Sequence, residues 1–157
     1  EPSQNIRSLG VKLKLSPTKS IVKNKSIILI DDSLVRGTTC LKIVKMLYEA
    51  GAKEVHVRIA CPEIKFPDFY GVDMPTRKEL LAFQKTNEEM CQYIKAKSLK
   101  FLSLGGLYEG LNKGKRNNTY PQFSDHYFTG NYPITPTDNL GEEKIKQLSL
   151  LSSKSSS

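Results

Sequence analysis

The sequence feature that most constrains the fold is an unbroken aliphatic run, residues 27–30 (Ile-Ile-Leu-Ile), which passes directly into two adjacent carboxylates, Asp31 and Asp32. A continuous run of this kind predicts a strand that is buried on both faces, as strands of parallel sheets are. Ligands of open α/β sheets bind beyond the carboxyl ends of the strands. We therefore expect an α/β fold with a mostly parallel sheet flanked by helices, and a binding site that begins at Asp31.

The carboxylate pair indicates what such a site could bind. Two neighbouring carboxylates repel each other when both are charged and partly desolvated. A cation or sugar hydroxyls between them would relieve that repulsion, and Mg²⁺ suits carboxylate oxygens and usually arrives with substrate phosphates. Asp31 and Asp32 are therefore candidate ligands for Mg²⁺ and for a sugar diol.

A short loop, residues 33–36, and Gly37 connect the carboxylates to two threonines that open a segment with helical spacing. Glycine allows a backbone with positive φ and the close approach of a ligand. The free amides at a helix N-terminus form an anion site, to which the hydroxyls of Thr38 and Thr39 add donors. The segment therefore offers diol and metal contacts at one end and a phosphate cradle at the other, a distance that a ribose 5-phosphate spans.

Simpler interpretations of the same residues stay open. Asp32 or Ser33 could cap a solvated turn, and Thr38 or Thr39 could serve only as a helix N-cap. Two rival phosphate motifs are absent from the sequence, because it contains neither G-x-x-x-x-G-K-[ST] nor a strand-linked G-x-G-x-x-G.

The residues after this loop predict a strand–helix–strand unit. Leu41, Val44 and Leu47 recur at helical spacing, and Gly51 stands in the usual place after a helix end. Residues 54–60 alternate as a strand does. Further along, the patterns predict a helix that starts at Pro75, a second helix from about Asn87, a short strand over 99–102 and a short helix capped by Ser103.

Charge and hydropathy bear on the class of partner. Lysine and arginine number 24 against 16 acidic residues, a net charge of +8, and nucleic acid is one candidate partner for such a chain. No nucleic-acid motif accompanies the charge, so we expect no nucleic-acid partner, and we interpret residues 113–118 as a solvated basic turn, with a phosphate contact as the alternative.

No apolar run approaches the ~20 residues that cross a membrane. No signal-peptide pattern opens the chain, and we expect a cytoplasmic protein without membrane contact.

The cysteines and histidines suggest no site of their own. The three cysteines, Cys40, Cys61 and Cys91, are odd in number and widely spaced, which fits neither a disulfide framework nor a zinc site. We expect reduced thiols, with Cys40 and Cys91 packed on helices. Asp125 and His126 are adjacent, and adjacent residues rarely face the same site, so neither is assigned a function.

Residues 27–39 as a whole resemble the thirteen-residue phosphoribosyl pyrophosphate (PRPP) signature of type I phosphoribosyltransferases. Further segments resemble the amidophosphoribosyltransferase family: residues 49–58, 60–64, 69–75 and 128–133. The resemblance covers most of residues 1–140, and the segment Tyr-Gly-Val-Asp-Met-Pro at 70–75 is what selects this family.

The resemblance implies a partial type I phosphoribosyltransferase fold and a part in the first committed step of purine synthesis, with PRPP and purine nucleotides as ligands and Mg²⁺ as the cofactor. Asp31 and Asp32 would hold the ribose hydroxyls and Mg²⁺. The 5-phosphate would be held by Ser33, Val35, Arg36, Gly37, Thr38 and Thr39. No catalytic residue is assigned. A non-catalytic PRPP-binding regulatory domain is the alternative.

The resemblance also implies three regions. Residues 1–20 would be the mobile active-site loop, whose Arg7, Lys12 and Lys14 could face pyrophosphate; a merely solvated basic loop is the alternative. Residues 21–140 would be the C-terminal part of the phosphoribosyltransferase domain. Residues 141–157 would run from a helix into a disordered serine-rich tail.

Some features depart from the family pattern. The family has an N-terminal glutaminase domain with an N-terminal cysteine nucleophile, whereas this sequence starts at Glu1. We therefore expect a C-terminal fragment, inactive alone, of a parent that is a homo-oligomer. Some members hold an iron–sulfur cluster through thiolates, and Asp68, Pro121 and Ser124 stand where its cysteines would. We expect no iron–sulfur cluster.

Overall fold

The computed structural model of the chain describes residues 17–71, 76–112 and 114–134. Over these residues, three parallel strands form one sheet in the order β1-β2-β3, with β1 at Ser26–Asp31, β2 at Glu54–Ile59 and β3 at Ser98–Phe101. The helices are α1 Lys19–Val22, α2 Thr38–Glu49, α3 Leu81–Gln84, α4 Asn87–Tyr93, α5 Leu104–Gly110 and α6 His126–Thr129, and a 3₁₀ turn covers Arg77–Glu79. The expected α/β class with a parallel sheet is confirmed.

The strand–helix–strand unit β1-α2-β2 is present as predicted. Ile27 lies opposite Val55 and Leu29 opposite Val57 in the parallel register. The ladder continues to the end of β1, where the amide of Ala60 donates to the carbonyl oxygen of Asp31 at 2.9 Å. Because all three strands run the same way, their carboxyl ends share one edge of the sheet, and Asp31 lies at that edge.

The core lies on one face of this sheet. Val55, Val57 and Ile59 alternate inward along β2 and are at most 3% exposed. The helices α2 to α4 and the strand β3 pack against them with Cys40, Val44, Leu81, Met90, Ile94 and Leu99. Each valine, leucine, isoleucine or methionine among them contributes about 1.5–3 kcal/mol when it is fully buried, so this face holds the parallel strands and the loop after β1 in place.

The prediction that β1 is buried on both faces is wrong for the described residues. Ile28 is 65% exposed and Ile30 is 73% exposed, whereas Ile27 and Leu29 are partly buried. In the described part of the chain, the buried core packs against the face that carries Val55, Val57 and Ile59. The opposite face carries polar neighbours on β2, where His56 pairs with Ile28 and Arg58 with Ile30. An all-aliphatic run shows no alternation, and so it hid this difference between the two faces.

A second buried group, the histidine cluster, ties the loop after β2 to α6. His126 is 1% exposed; its Nε2 lies 2.8 Å from Asp68 Oδ1 and its Nδ1 lies 3.1 Å from Ser124 Oγ. The rings of Tyr70 and Tyr132 contact the imidazole at centroid distances of 5.2 and 5.0 Å. Both imidazole nitrogens are therefore satisfied by partners within the chain.

Within the segment 113–118, Gly114, Lys115, Asn117 and Asn118 are exposed, as the interpretation as a solvated turn expects, whereas Arg116 is not. Its side chain is only 11% exposed, and its Nε lies 2.5 Å from Asp125 Oδ2, which also accepts a 2.8 Å hydrogen bond from Tyr108 Oη. Burial alone would raise the pKa of Asp125, but the hydrogen bonds from Arg116 and Tyr108 outweigh it and hold that pKa below its usual value. Arg116 is thus a structural ion-pair partner.

Several expectations lie outside the described residues. They concern the basic side chains Arg7, Lys12 and Lys14 of the loop 1–20, the helix start at Pro75 and the tail 141–157. Among the helices that are described, none combines the length and the apolar character that crossing a membrane requires.

Candidate functional site

The carboxylate pair occupies the carboxyl end of β1. Asp31 is half-buried as the last residue of the strand, and Asp32 is exposed directly after it. The amide of Asp32 donates to Asp31 Oδ1 at 3.0 Å, and Ser33 Oγ donates to Asp32 Oδ1 at 2.9 Å. Within the described part of the chain, the second oxygen of each carboxylate carries no hydrogen bond. These oxygens are the ones that could accept from a diol or bind a cation.

The thiols beside this pair are held in the protonated form. Burial raises the pKa of Cys40 to about 11, and the negative charge of Asp31 adds to the rise. Burial also raises the pKa of Cys61 to about 11, with Asp32 as the next cause. Cys40 is 2% exposed on α2, as expected of a packed thiol. Neither side chain is suited to act as a nucleophile at neutral pH.

Gly37 makes the turn from the loop into α2. Its φ is +75°, a left-handed backbone that L side chains rarely adopt, so the predicted positive φ is confirmed. A Cβ atom at this position would lie 2.7 Å from Leu81 Cδ2 and 3.0 Å from Tyr93 Cε1. The site therefore needs glycine for its backbone conformation and for the space that the residue leaves to α3 and α4.

The N-terminus of α2 opens beyond this glycine. Gly37 is the N-cap and supplies no side-chain cap, so the alternative that Thr38 or Thr39 serves as the N-cap is wrong. The helical hydrogen bonds begin with the amide of Leu41 bonding to the carbonyl of Gly37. The amides of Thr38, Thr39 and Cys40 precede that bond and have no partner within the helix. The two threonines are exposed, so the free amides and hydroxyls together can receive an anion.

Residues far along the chain hold the loop between the carboxylates and the helix. Leu34 is 2% exposed and anchors the loop in the core. The amide of Leu81 donates to the carbonyl of Val35 at 2.8 Å. Arg36 Nη2 donates to Glu79 Oε1 at 3.2 Å, with both side chains about half exposed. Sequence reasoning gave no indication of this contact between Glu79 and Arg36.

One local signal could have drawn attention to Glu79. Thr76 and Glu79 have the spacing of a capping box, and the carboxylate of Glu79 accepts hydrogen bonds from the amide and the hydroxyl of Thr76. That pattern predicts a helix start but not the contact with Arg36, which joins residues 43 positions apart.

All eight predicted site residues lie on the one segment that runs from the end of β1 into the first turn of α2. Asp31 and Asp32 lie at one end of the segment, and Thr38 and Thr39 at the other, with Ser33, Val35, Arg36 and Gly37 between them. Asp125 and His126 lie in separate structural contacts, with Arg116 and Asp68 respectively. Their separation confirms that these adjacent residues do not share a site.

Asp31 and Asp32 are the side chains of this site that could bind Mg²⁺. Among the described residues, no group of three or more His, Cys, Asp and Glu side chains could enclose a metal ion. A fully protein-built cage is thus not formed by these residues. Mg²⁺ commonly binds through one or two carboxylates and completes its shell with water and substrate phosphates, and Asp31 with Asp32 fit that mode.

Comparisons with known proteins give a consistent result. No protein-family model matches the chain. It is 53% identical over 154 residues to an amidophosphoribosyltransferase of Rhizobium etli, which covers 98% of the chain and 31% of that protein. It is 48% identical over 147 residues to the chloroplastic amidophosphoribosyltransferase 1 of Arabidopsis thaliana, covering 94% and 24% respectively. The chain thus spans about a third or less of these relatives' length.

Solved structures agree with the sequence relatives. A glutamine PRPP amidotransferase from Bacillus subtilis, in complex with ADP and GMP, superimposes with a TM-score of 0.74 at 44% identity, over 88% of this chain and 30% of that one. A second structure, of the allosteric regulatory enzyme of purine biosynthesis, gives a TM-score of 0.70 at 41% identity. The partial type I phosphoribosyltransferase fold expected from the sequence is confirmed, and the chain belongs to the amidophosphoribosyltransferase family.

Proposed function

We propose that this chain forms the Mg-PRPP-binding part of an amidophosphoribosyltransferase, which converts PRPP, glutamine and water to phosphoribosylamine, glutamate and pyrophosphate. The observation that carries this proposal is the placement of Asp31, Asp32 and the N-terminus of α2 at one edge of the sheet. Acidic oxygens for a sugar and a cation, and free amides for a phosphate, lie at the two ends of one short segment.

The 5-phosphate would lie at the start of α2. The free amides of Thr38 and Thr39 and the positive end of the helix dipole favour an anion there. The hydroxyls of these residues add two donors, and Arg36 supplies a positive charge on the adjoining loop. Gly37 makes the left-handed turn that leads into these amides.

The sugar and the metal ion would lie at the other end. Asp31 and Asp32 would accept hydrogen bonds from the ribose hydroxyls and bind Mg²⁺ through their unbonded oxygens. Mg²⁺ would offset negative charge on the pyrophosphate group of PRPP. The chain's own contribution is to fix the position of the ribose, because orientation of the reacting carbon lowers the barrier to displacement.

Purine nucleotides are proposed as further ligands of the same cradle. The Bacillus subtilis relative was solved with ADP and GMP. A nucleotide 5′-monophosphate carries the ribose 5-phosphate group whose shape and charge fit the segment from Asp31 to Thr39. Nucleotide and PRPP would then compete for one site.

A cytoplasmic location is also proposed. All three cysteines, Cys40, Cys61 and Cys91, are free thiols. Reduced thiols are the usual state in the cytosol, which supports this location.

The test is titration calorimetry with three ligands: ribose 5-phosphate, ribose and inorganic phosphate. We expect ribose 5-phosphate to bind, and to bind more tightly than phosphate, because the carboxylates add contacts to the sugar. Ribose alone should not bind measurably, since it lacks the charged group that the helix amides recognise. Equal affinity for phosphate and ribose 5-phosphate would contradict a site for the sugar.

A further inference from the structure

Glu79 holds a fixed position beside the phosphate-binding loop. Its Oε2 accepts hydrogen bonds from the amide and the hydroxyl of Thr76, both at 3.1 Å. Its Oε1 accepts the 3.2 Å hydrogen bond from Arg36 Nη2. The hydrogen bonds from Thr76, followed by the charge of Arg36, hold the pKa of Glu79 below its usual value. The carboxylate is therefore ionised at neutral pH and directed at Arg36.

This contact contributes little to the stability of the fold. The side chains of Arg36 and Glu79 are 53% and 48% exposed, and ion pairs that are this exposed to solvent add little to stability. The loop backbone has other anchors, the buried Leu34 and the hydrogen bond between Val35 and Leu81. The consequence of the contact is instead the direction in which the guanidinium group is held.

The held guanidinium can still bind an anion. It has five N–H donors in a planar fork, and among the described residues only the one bonded to Glu79 has a partner. A free arginine side chain loses rotamer entropy when it becomes ordered. Ordering by Glu79 before the ligand arrives removes part of that cost from binding.

We propose that Glu79 is a positioning residue for the 5-phosphate, which acts by holding the guanidinium group of Arg36 in one orientation on the loop that leads into α2. This inference rests on the proposed function, because it assumes that the cradle binds a phosphate. It assigns a role in binding to the segment 76–79, which is distant from the loop in sequence and supplies it with a fixed carboxylate.

The direction in which one substitution changes the affinity for phosphate distinguishes this proposal from a purely electrostatic effect of Glu79. A carboxylate near an anion site repels the anion, so its removal should tighten phosphate binding if charge alone matters. If Glu79 orients Arg36, its removal should weaken binding. Glu79→Gln removes the charge while it keeps nearly the same size.

Glu49→Gln is the matched control. Glu49 forms an exposed ion pair with Lys45 at 3.7 Å, at the far end of α2 from the loop. Its substitution changes the net charge of the chain by the same amount and also removes one exposed ion pair. Thermal unfolding by circular dichroism should show both variants folded, with melting temperatures near that of the original chain.

Titration calorimetry with ribose 5-phosphate on the full 157-residue chain tests the proposal. We expect Glu79→Gln to weaken binding about three- to tenfold and Glu49→Gln to leave it unchanged. The affinity of Glu79→Asp should lie between those of the original chain and Glu79→Gln. Arg36→Gln should weaken binding, and adding Glu79→Gln to it should weaken binding no further.

Tighter or unchanged binding of ribose 5-phosphate by Glu79→Gln would overturn the positioning role. The role would also be overturned if Glu79→Gln weakened binding by the same factor in the Arg36→Gln variant as in the original chain. Absence of binding by the original chain would instead refute the proposed function itself, so the two failures are distinguishable.

Discussion

Gly37→Val tests the geometry of the phosphate cradle most severely. A residue other than glycine costs about 1–2 kcal/mol in a left-handed conformation, and a β-branched residue costs more. The added side chain would also begin 2.7 Å from Leu81 and 3.0 Å from Tyr93, so α3 and α4 would have to shift or the loop would have to move. Either movement displaces the free amides of α2.

Gly114→Val provides a matched control for the backbone cost. Gly114 also has a positive φ, +63°, but a Cβ there would meet nothing within 4 Å. Both variants should lose the roughly 1–2 kcal/mol of backbone strain, measured by urea unfolding. Only Gly37→Val should lose more than this and also abolish binding of ribose 5-phosphate.

A comparison with Thr39→Ala shows which result would refute this reasoning. Thr39 contributes one hydroxyl to the cradle, so its loss should weaken binding by about 1–3 kcal/mol at most. If Thr39→Ala damages binding more than Gly37→Val, the cradle does not depend on the backbone turn at Gly37. Equal stability of the two glycine variants would likewise contradict the predicted steric conflict with α3.

Two further predictions concern groups outside the cradle. His126→Ala should lower the free energy of unfolding by at least about 2 kcal/mol, because it opens a cavity and removes a buried partner of Asp68, whereas Ser124→Ala, at an exposed position, should cost at most about 1 kcal/mol in urea unfolding. Cys40 and Cys61 should react slowly with iodoacetamide at pH 8 and faster as the pH approaches 11, since the pKa of each is raised to about 11. Because these pKa values are higher in the folded chain than in the unfolded chain, the free energy of unfolding should be highest below about pH 9 and should fall as the pH rises from 9 toward 11. Fast alkylation of the folded chain at pH 8 would contradict the burial of these thiols.

Local sequence was sufficient to predict the segment from β1 to α2. Each feature of this segment determines the conformation of its own stretch of backbone. The aliphatic run and the carboxylates predict the strand and its end, Gly37 predicts the turn, and the threonines predict the start of the helix. The alternation over residues 54–60 predicted β2, which the structure has at Glu54–Ile59, for the same reason.

Contacts between distant segments could not be predicted in this way. Nothing in the residues around Arg36 indicates that Glu79 will be its partner, and the burial of Arg116 depends on Tyr108 and Asp125 coming together in the fold. The exposure of Ile28 depends on which helices cover each face of the sheet. These features follow from packing between segments, which the pattern of one segment does not contain.

The most direct test of the proposed Mg-PRPP site is a calorimetric titration of Mg-PRPP into the original chain and into the Asp31→Asn/Asp32→Asn double variant, which keeps side-chain size and removes the charge. We expect the affinity to fall at least tenfold, ~1.4 kcal/mol or more, and the fall to be smaller for ribose 5-phosphate measured without Mg²⁺. Unchanged affinity for Mg-PRPP in a folded double variant would contradict the assignment of Asp31 and Asp32.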